Sequence, residues 1–154
     1  LFAVPMSDFS PGEGARPLLA VGGYSAGASI CYEDAFPAEV VQALPEAAFL
    51  ISVSNDAWFG DSLAPHQHLE IARMRAAETG RYLARATNTG ISAIVDHRGR
   101  VLGTVPSFVR GAYTGEVEPR AGATPFVQVH NWLAIALAFA FVAAGVLMGR
   151  RRGR

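Results

Sequence analysis

Cys31 is the only cysteine among 154 residues, and the stretch ICYEDAFP places two carboxylates directly after it. The apolar run before Cys31 and the short amphipathic segment after it predict a thiol at the junction of a strand and a helix. Such a thiol is exposed, and nearby backbone N–H groups can stabilise an oxyanion. A thiol attacks acyl groups as a thiolate, which Glu33 and Asp34 disfavour and a neighbouring cation would favour. The residues alone leave two interpretations: a nucleophile that needs a cation from elsewhere, or a small core residue.

A second group of chemically useful residues follows an apolar run, in the stretch SNDAWFGDS. A continuous apolar run such as the one at 47–56 is typical of a buried strand, so the residues after it are predicted to form a loop at the strand end. Trp58 and Phe59 are unusually apolar for a loop in solvent. They indicate either contact with an apolar ligand or a loop packed under the core.

The predicted secondary structure places both groups at strand ends. A strand-like run at 18–31, interrupted by Gly22 and Gly23, ends at Cys31, and a short helix is predicted within 36–46. The segment 66–87 opens with apolar residues at helical spacing, and Gly80 weakens that helix. A hairpin follows, with strands at 91–95 and 101–105. Strands that alternate with helices predict an α/β fold or a mixed sheet.

Composition separates the C-terminus from the rest of the chain. The net charge is zero, which offers no electrostatic basis for nucleic-acid binding. Apolar residues make up 51% of the chain and concentrate in WLAIALAFAFVAAGVLM, which an arginine cluster follows. That stretch is near the lower length limit for crossing a bilayer, and Trp132 and the arginines suit its two interfaces. We expect a transmembrane helix at 129–149, with a buried core helix as the alternative.

Three further sequence features bear on the chemistry. His66 and His68 form a His-x-His pair, but the only cysteine is distant and no further histidine is close, so we expect no metal. The sequence contains no lysine. It also begins without methionine or a signal-like segment, and we therefore expect it to be a piece of a longer chain.

Three stretches carry a family resemblance: ICYEDAFP, VSNDAWFGDSLAPHQHLEIARMRAAETGRYLARATNTGISAIVDHRGRV and GATPFVQVHNW. They closely resemble the C-terminal part of bacterial apolipoprotein N-acyltransferases, which are membrane-bound members of the nitrilase superfamily. The resemblance covers nearly the whole chain. It implies an α/β fold, the C-terminal portion of a nitrilase-like α-β-β-α sandwich at 1–128, followed by one transmembrane helix at 129–149 and a basic cytoplasmic tail at 150–154.

The resemblance also implies a reaction and a set of site residues. Cys31 would take an acyl chain from a phospholipid donor as a thioester, and the N-terminal amine of a diacylglyceryl-modified apolipoprotein would then accept it. Tyr32 would help to hold the oxyanion through its backbone N–H, and Glu33 would orient the site or the incoming amine. Trp58, Phe59 and Asn55 would serve substrate binding, the first by lipid contact and the last by loop geometry. No cofactor is implied.

The family's triad also contains a glutamate base and a lysine, both upstream of the matching stretch. Because the sequence has no lysine, we expect the isolated chain to be inactive. The implied location is the bacterial inner membrane, with the catalytic domain on the periplasmic side, the C-terminus in the cytoplasm and the lipid bilayer as a partner. Two alternatives stay open: a membrane-tethered amidase or nitrilase, and a non-catalytic membrane-anchored binding module.

Overall fold

The computed structural model describes residues 18–152, and within them a six-stranded mixed sheet organises the fold. The strands follow one another across the sheet in chain order, with β2, β3 and β4 parallel and the outer pairs antiparallel. The carboxyl ends of the three parallel strands therefore meet at one edge of the sheet. The strands are β1 Leu18–Val21, β2 Tyr24–Ile30, β3 Phe49–Ser54, β4 Leu83–Thr87, β5 Ser92–Val95 and β6 Val101–Val105.

Helices cover one face of this sheet. The four helices are α1 Pro37–Val40, α2 Ala64–Thr79, α3 Pro125–Val129 and α4 Trp132–Arg152, and a 3₁₀ turn at Val41–Ala43 extends α1. Small residues of α2, Ala72 and Ala76, lie in the core with Leu50 and Leu83 of the central strands. Small side chains allow the helix to approach the sheet closely. On the other face, side chains such as Val53 stay partly exposed.

The predicted elements and the observed ones agree where local chemistry decides. The α/β prediction with a mixed sheet is confirmed. The helix predicted within 66–87 forms, but Gly80 ends it instead of only weakening it, and Leu83–Thr87 is β4. Gly80 takes the left-handed conformation (φ 65°), which glycine adopts without a steric penalty. Gly22 and Gly23 both have positive φ and close the β1–β2 hairpin. The N-terminal part of the domain predicted at 1–128 lies outside the described residues.

The C-terminal helix differs from the prediction in its bounds. The expected segment 129–149 is divided between two helices, because α3 ends at Val129 and α4 runs from Trp132 to Arg152. The basic tail predicted at 150–154 stays a prediction. Within residues 18–152, no helix is both long enough and apolar enough to span a membrane.

Candidate active site

Cys31 lies at the carboxyl end of β2 and begins a 3₁₀ turn, Cys31–Ala35, which we call the Cys31 turn. Its thiol is free and half-buried, and its φ is 54°. This left-handed conformation is unfavourable for a residue with a Cβ, and such strain often marks a functional position. The conformation turns the chain sharply out of the sheet, so the thiol stands at the sheet edge where the parallel strands end.

The side chain of Glu33 stabilises this strained turn from within. Its carboxylate oxygen Oε2 accepts a hydrogen bond from the backbone N–H of Ile30 at 2.7 Å, which ties the end of β2 to the turn. Tyr32 projects outward and is half exposed, with its ring 5.7 Å from the ring of His68. The structure therefore shows a capping contact for Glu33, and the roles predicted for Glu33 and Tyr32 in the reaction stay predictions.

The second predicted group forms another 3₁₀ turn, Asp56–Phe59, which we call the Trp58 turn. Asn55 caps it, because its side-chain oxygen accepts a hydrogen bond from the N–H of Ala57 at 3.2 Å. Trp58 is 86% exposed, whereas Phe59 is half-buried and meets the ring of His68 edge-on at 6.5 Å. The sequence prediction that these residues sit at a strand end is confirmed, and their contact with substrate stays a prediction.

A crevice of about 350 Å³ lies where the parallel strands end. It is bordered by the last residues of three strands and by the cap of the Trp58 turn: Ile30, Val53, Ser54, Asn55, Ala86 and Thr87. A second, mostly apolar groove of about 370 Å³ runs along the uncovered sheet face and shares Ile30 and Val53 with the crevice. The crevice is shallow and open to solvent, and it continues into the apolar groove at Ile30, the residue directly before Cys31.

Beneath the two turns lies a buried cluster of charged side chains. His68 Nε2 is 3.0 Å from Asp34 Oδ1, and His68 Nδ1 is 3.1 Å from Asp56 Oδ1. Arg85 donates from Nη1 to Asp34 Oδ2 and from Nη2 to Asp56 Oδ2, both at 3.1 Å. Ser52 and Ser54 donate to the same two carboxylates. Every carboxylate oxygen of the pair thus has a partner, as buried charges require.

The geometry around His68 indicates that both of its ring nitrogens carry protons. A neutral imidazole donates from only one nitrogen, so the other lone pair would face a carboxylate oxygen at about 3 Å. Burial lowers the pKa of His68, but the hydrogen bond to Asp34 and the negative charges of Asp34 and Asp56 outweigh burial and the charge of Arg85. The net pKa is raised. An imidazolium and a guanidinium then balance two carboxylates, and the cluster is neutral.

Sequence reasoning missed this cluster. The sequence shows Asp34 only as a carboxylate next to the cysteine, but its side chain is buried because it faces α2 beneath the turn. It shows His68 only as half of a His-x-His pair, but His68 lies buried inside α2, which begins at Ala64. One signal was present: Arg85 interrupts an otherwise apolar strand, and a charged residue at such a position needs a buried partner. His66 is exposed, and no three metal-binding side chains converge within the part of the chain that the structure describes.

Comparison with known proteins agrees with this architecture. A family model described as carbon–nitrogen hydrolase matches residues 4–126. An apolipoprotein N-acyltransferase from Methylococcus capsulatus is 51% identical over 99% of this chain, and one from Nitrosomonas europaea is 47% identical over 97%. The chain spans only 30% and 31% of these two relatives.

Solved structures show the same fold. A mutant amidase from Nesterenkonia sp. AN1, with the acetamide moiety of fluoroacetamide added covalently at its active-site cysteine, is 28% identical. Its TM-score is 0.51, over 64% of this chain and 40% of the amidase. Another structure of that amidase, described as belonging to the nitrilase superfamily, has a TM-score of 0.54 at 23% identity, over 83% of this chain and 49% of that one. With the family model matching most of its residues, this chain belongs to the carbon–nitrogen hydrolase family.

Proposed function

We propose that Cys31 is the nucleophile of an acyltransferase that N-acylates the N-terminal diacylglyceryl-cysteine of bacterial lipoproteins, with a phospholipid as the acyl donor. The observation that carries the proposal is the left-handed Cys31 at the carboxyl edge of the parallel strands, directly after Ile30, which borders the crevice. The similarity to two proteins named apolipoprotein N-acyltransferase supports the choice of substrate class.

The proposed reaction has two acyl-transfer steps. The glutamate base implied by the resemblance would take the proton of the Cys31 thiol, and the thiolate attacks the ester carbonyl of the phospholipid. The ester C–O bond breaks, the lysophospholipid oxygen leaves with that proton, and a thioester stays on Cys31. The lipoprotein amine then attacks the thioester carbonyl and loses a proton, and the C–S bond breaks to give an amide and the thiolate. Backbone N–H groups of the Cys31 turn, that of Tyr32 among them, would stabilise the oxyanion in both steps.

Other groups needed for this chemistry lie outside the sequence. The resemblance requires a glutamate base and a lysine, and the sequence contains no lysine. We propose that both are supplied by further parts of the protein, which is consistent with the small share of the relatives that this chain spans. Glu33 is poorly placed to act as the base, because its carboxylate already binds the Ile30 N–H.

The surfaces around the site suit lipid substrates. The exposed indole of Trp58 and the apolar groove along the sheet would accept an acyl chain, because both offer apolar surface and the groove reaches Ile30 and Glu33 on either side of Cys31 in sequence. Helix α4 exposes large apolar side chains such as Leu137, Phe139 and Phe141. We propose that α4 contacts the lipid of the bacterial inner membrane, with the Cys31 domain on its periplasmic side.

The test uses the complete protein in membranes that contain a phospholipid with a labelled acyl chain. We expect a labelled adduct on Cys31 that neutral hydroxylamine removes, and transfer of the label to a diacylglyceryl-peptide amine. Cys31→Ala should abolish both signals. Release of free fatty acid without formation of the amide would favour the amidase alternative. The similarity to a solved amidase is consistent with that alternative. Absence of any adduct would favour a binding module.

A further inference from the structure

The Cys31 turn and the Trp58 turn are separate in sequence, yet His68 contacts both of them. It is hydrogen-bonded to Asp34 in the first turn and to Asp56 in the second, at 3.0 and 3.1 Å. Its ring also lies 5.7 Å from the ring of Tyr32 and 6.5 Å from that of Phe59. Each turn therefore meets His68 through one carboxylate and one aromatic ring.

We propose that His68 is a positioning residue, which fixes the Cys31 turn and the Trp58 turn relative to each other by bridging Asp34 and Asp56. The inference rests on the proposed function in so far as Cys31 is the nucleophile. The bridge itself is a property of the fold and is measurable without acyl transfer. His68 does not touch the reacting atoms, and its effect passes through the two turns.

Arg85 makes a parallel bridge from the sheet side, but the two bridges differ in one respect. The guanidinium keeps its charge at all relevant pH values, whereas an imidazolium loses its proton as pH rises. The charged groups that face His68 are Asp34 from the Cys31 turn, Asp56 from the Trp58 turn and Arg85 from β4. After deprotonation the buried cluster carries a net negative charge, and one ring nitrogen faces a carboxylate without a proton between them.

Replacing Asp34 with asparagine separates the charge of His68 from its position. The oxygen of the introduced amide can take the place of Oδ2 and still accept from Arg85 and Ser52. The amide nitrogen, in place of Oδ1, can donate to an unprotonated Nε2 of His68. Neutral His68 then accepts a hydrogen bond from the introduced amide at Nε2 and donates one to Asp56 from Nδ1. The charge of Arg85 balances the single remaining carboxylate, that of Asp56. Asp34→Asn therefore keeps the bridge while removing its need for a proton.

Site-resolved hydrogen–deuterium exchange on the complete protein in lipid nanodiscs tests the bridge. The reporting amides are Phe36, which donates to the Glu33 carbonyl, and Gly60, which donates to the Ala57 carbonyl. His68→Phe keeps the ring but removes both hydrogen bonds. We expect it to raise exchange roughly ten- to hundredfold in both turns. The matched control is His66→Phe, at an exposed position on the same helix, which should leave both turns unchanged.

Unchanged exchange in the turns of His68→Phe, or an equal rise in the His66→Phe control, would overturn the proposal. Because His68→Phe leaves two buried carboxylates short of partners, it can also unfold the domain. The unmodified protein and Asp34→Asn provide an independent arm. After correction for intrinsic exchange rates, protection of both turns should fall as pH rises through the titration of His68, and it should stay level in Asp34→Asn. Identical pH profiles in the two proteins would contradict the inference.

The outcomes also separate this inference from the proposed function. Exchange that behaves as expected without any Cys31 thioester would uphold the bridge and refute the acyltransferase. A Cys31 thioester together with amide exchange that does not respond to replacement of His68 would uphold the acyltransferase and refute the bridge. If the bridge and the acyltransferase are both correct, the rate of thioester formation should follow the same pH profile as the protection of the turns. Asp34→Asn should then remove the decrease in that rate on the alkaline side.

Discussion

Replacing Glu33 tests what holds Cys31 in its strained conformation. The left-handed conformation of Cys31 costs about 1–3 kcal/mol. A hydrogen bond to a charged acceptor contributes about 1.5–3 kcal/mol when buried. Glu33 is only half-buried, so we take about 1–2 kcal/mol for its 2.7 Å bond to the Ile30 N–H. The two energies are similar, so Glu33→Ala should allow the turn to relax and lower the reactive population about 5- to 30-fold.

The assay is the alkylation rate of Cys31 in the complete protein, resolved by peptide mass spectrometry and taken from the alkaline plateau of its pH profile. There the rate no longer depends on the thiolate fraction, which removal of the Glu33 charge would itself increase. Glu33→Gln keeps an oxygen that can accept the Ile30 N–H, so we expect it to lose less than about fivefold. Glu46→Ala removes an exposed carboxylate outside the turn and should have no effect. If Glu33→Gln loses as much as Glu33→Ala, the negative charge matters more than the hydrogen bond. Our assignment of Glu33 as a cap would then be wrong.

Three further predictions concern the loop, its packing and pH. Trp58→Ala should change the melting temperature by no more than about 1 °C, because the indole is 86% exposed, and it should raise the KM for phospholipid. A large loss of stability would show that Trp58 packs in the core. Gly90→Ala should destabilise the domain by about 1–3 kcal/mol in denaturant unfolding, since the added Cβ would overlap the Asp56 carboxylate, and an unchanged midpoint would contradict this close contact. The pKa of His68 is raised in the folded state, so its contribution to stability should be fully present below about pH 6.5 and be lost as pH rises through the folded pKa. Melting temperature against pH should show that loss in the unmodified protein and not in His68→Phe.

Local patterns were sufficient to predict the elements that carry the site. The apolar runs indicated the strands, and the hairpin predicted at 91–95 and 101–105 is formed by β5 and β6. The glycines were predicted to interrupt a strand and to weaken a helix, whereas Gly22 and Gly23 close a hairpin and Gly80 ends α2. These features depend on residues within a few positions of one another. The buried cluster depends on pairs that are far apart in sequence: Asp34 lies 34 residues from His68 and 51 from Arg85. No periodic pattern specifies which buried charge meets which, so the sequence indicated that Arg85 needs a partner but not its identity.

The position of the charged cluster is informative about its purpose. Buried ion pairs are often no more stabilising than apolar side chains of similar volume, because desolvation offsets their attraction. Other charged side chains are buried too, but Arg81 donates to backbone carbonyls and Asp96 binds groups of its own turn. The cluster instead joins side chains from distant segments, beneath the two turns that carry Cys31 and Trp58. Apolar packing tolerates small rotations, whereas hydrogen bonds at both ends of an imidazolium fix direction as well as distance. Directional contacts therefore lie beneath the strained Cys31 turn, and the positioning role that we propose for His68 accounts for their placement better than stability does.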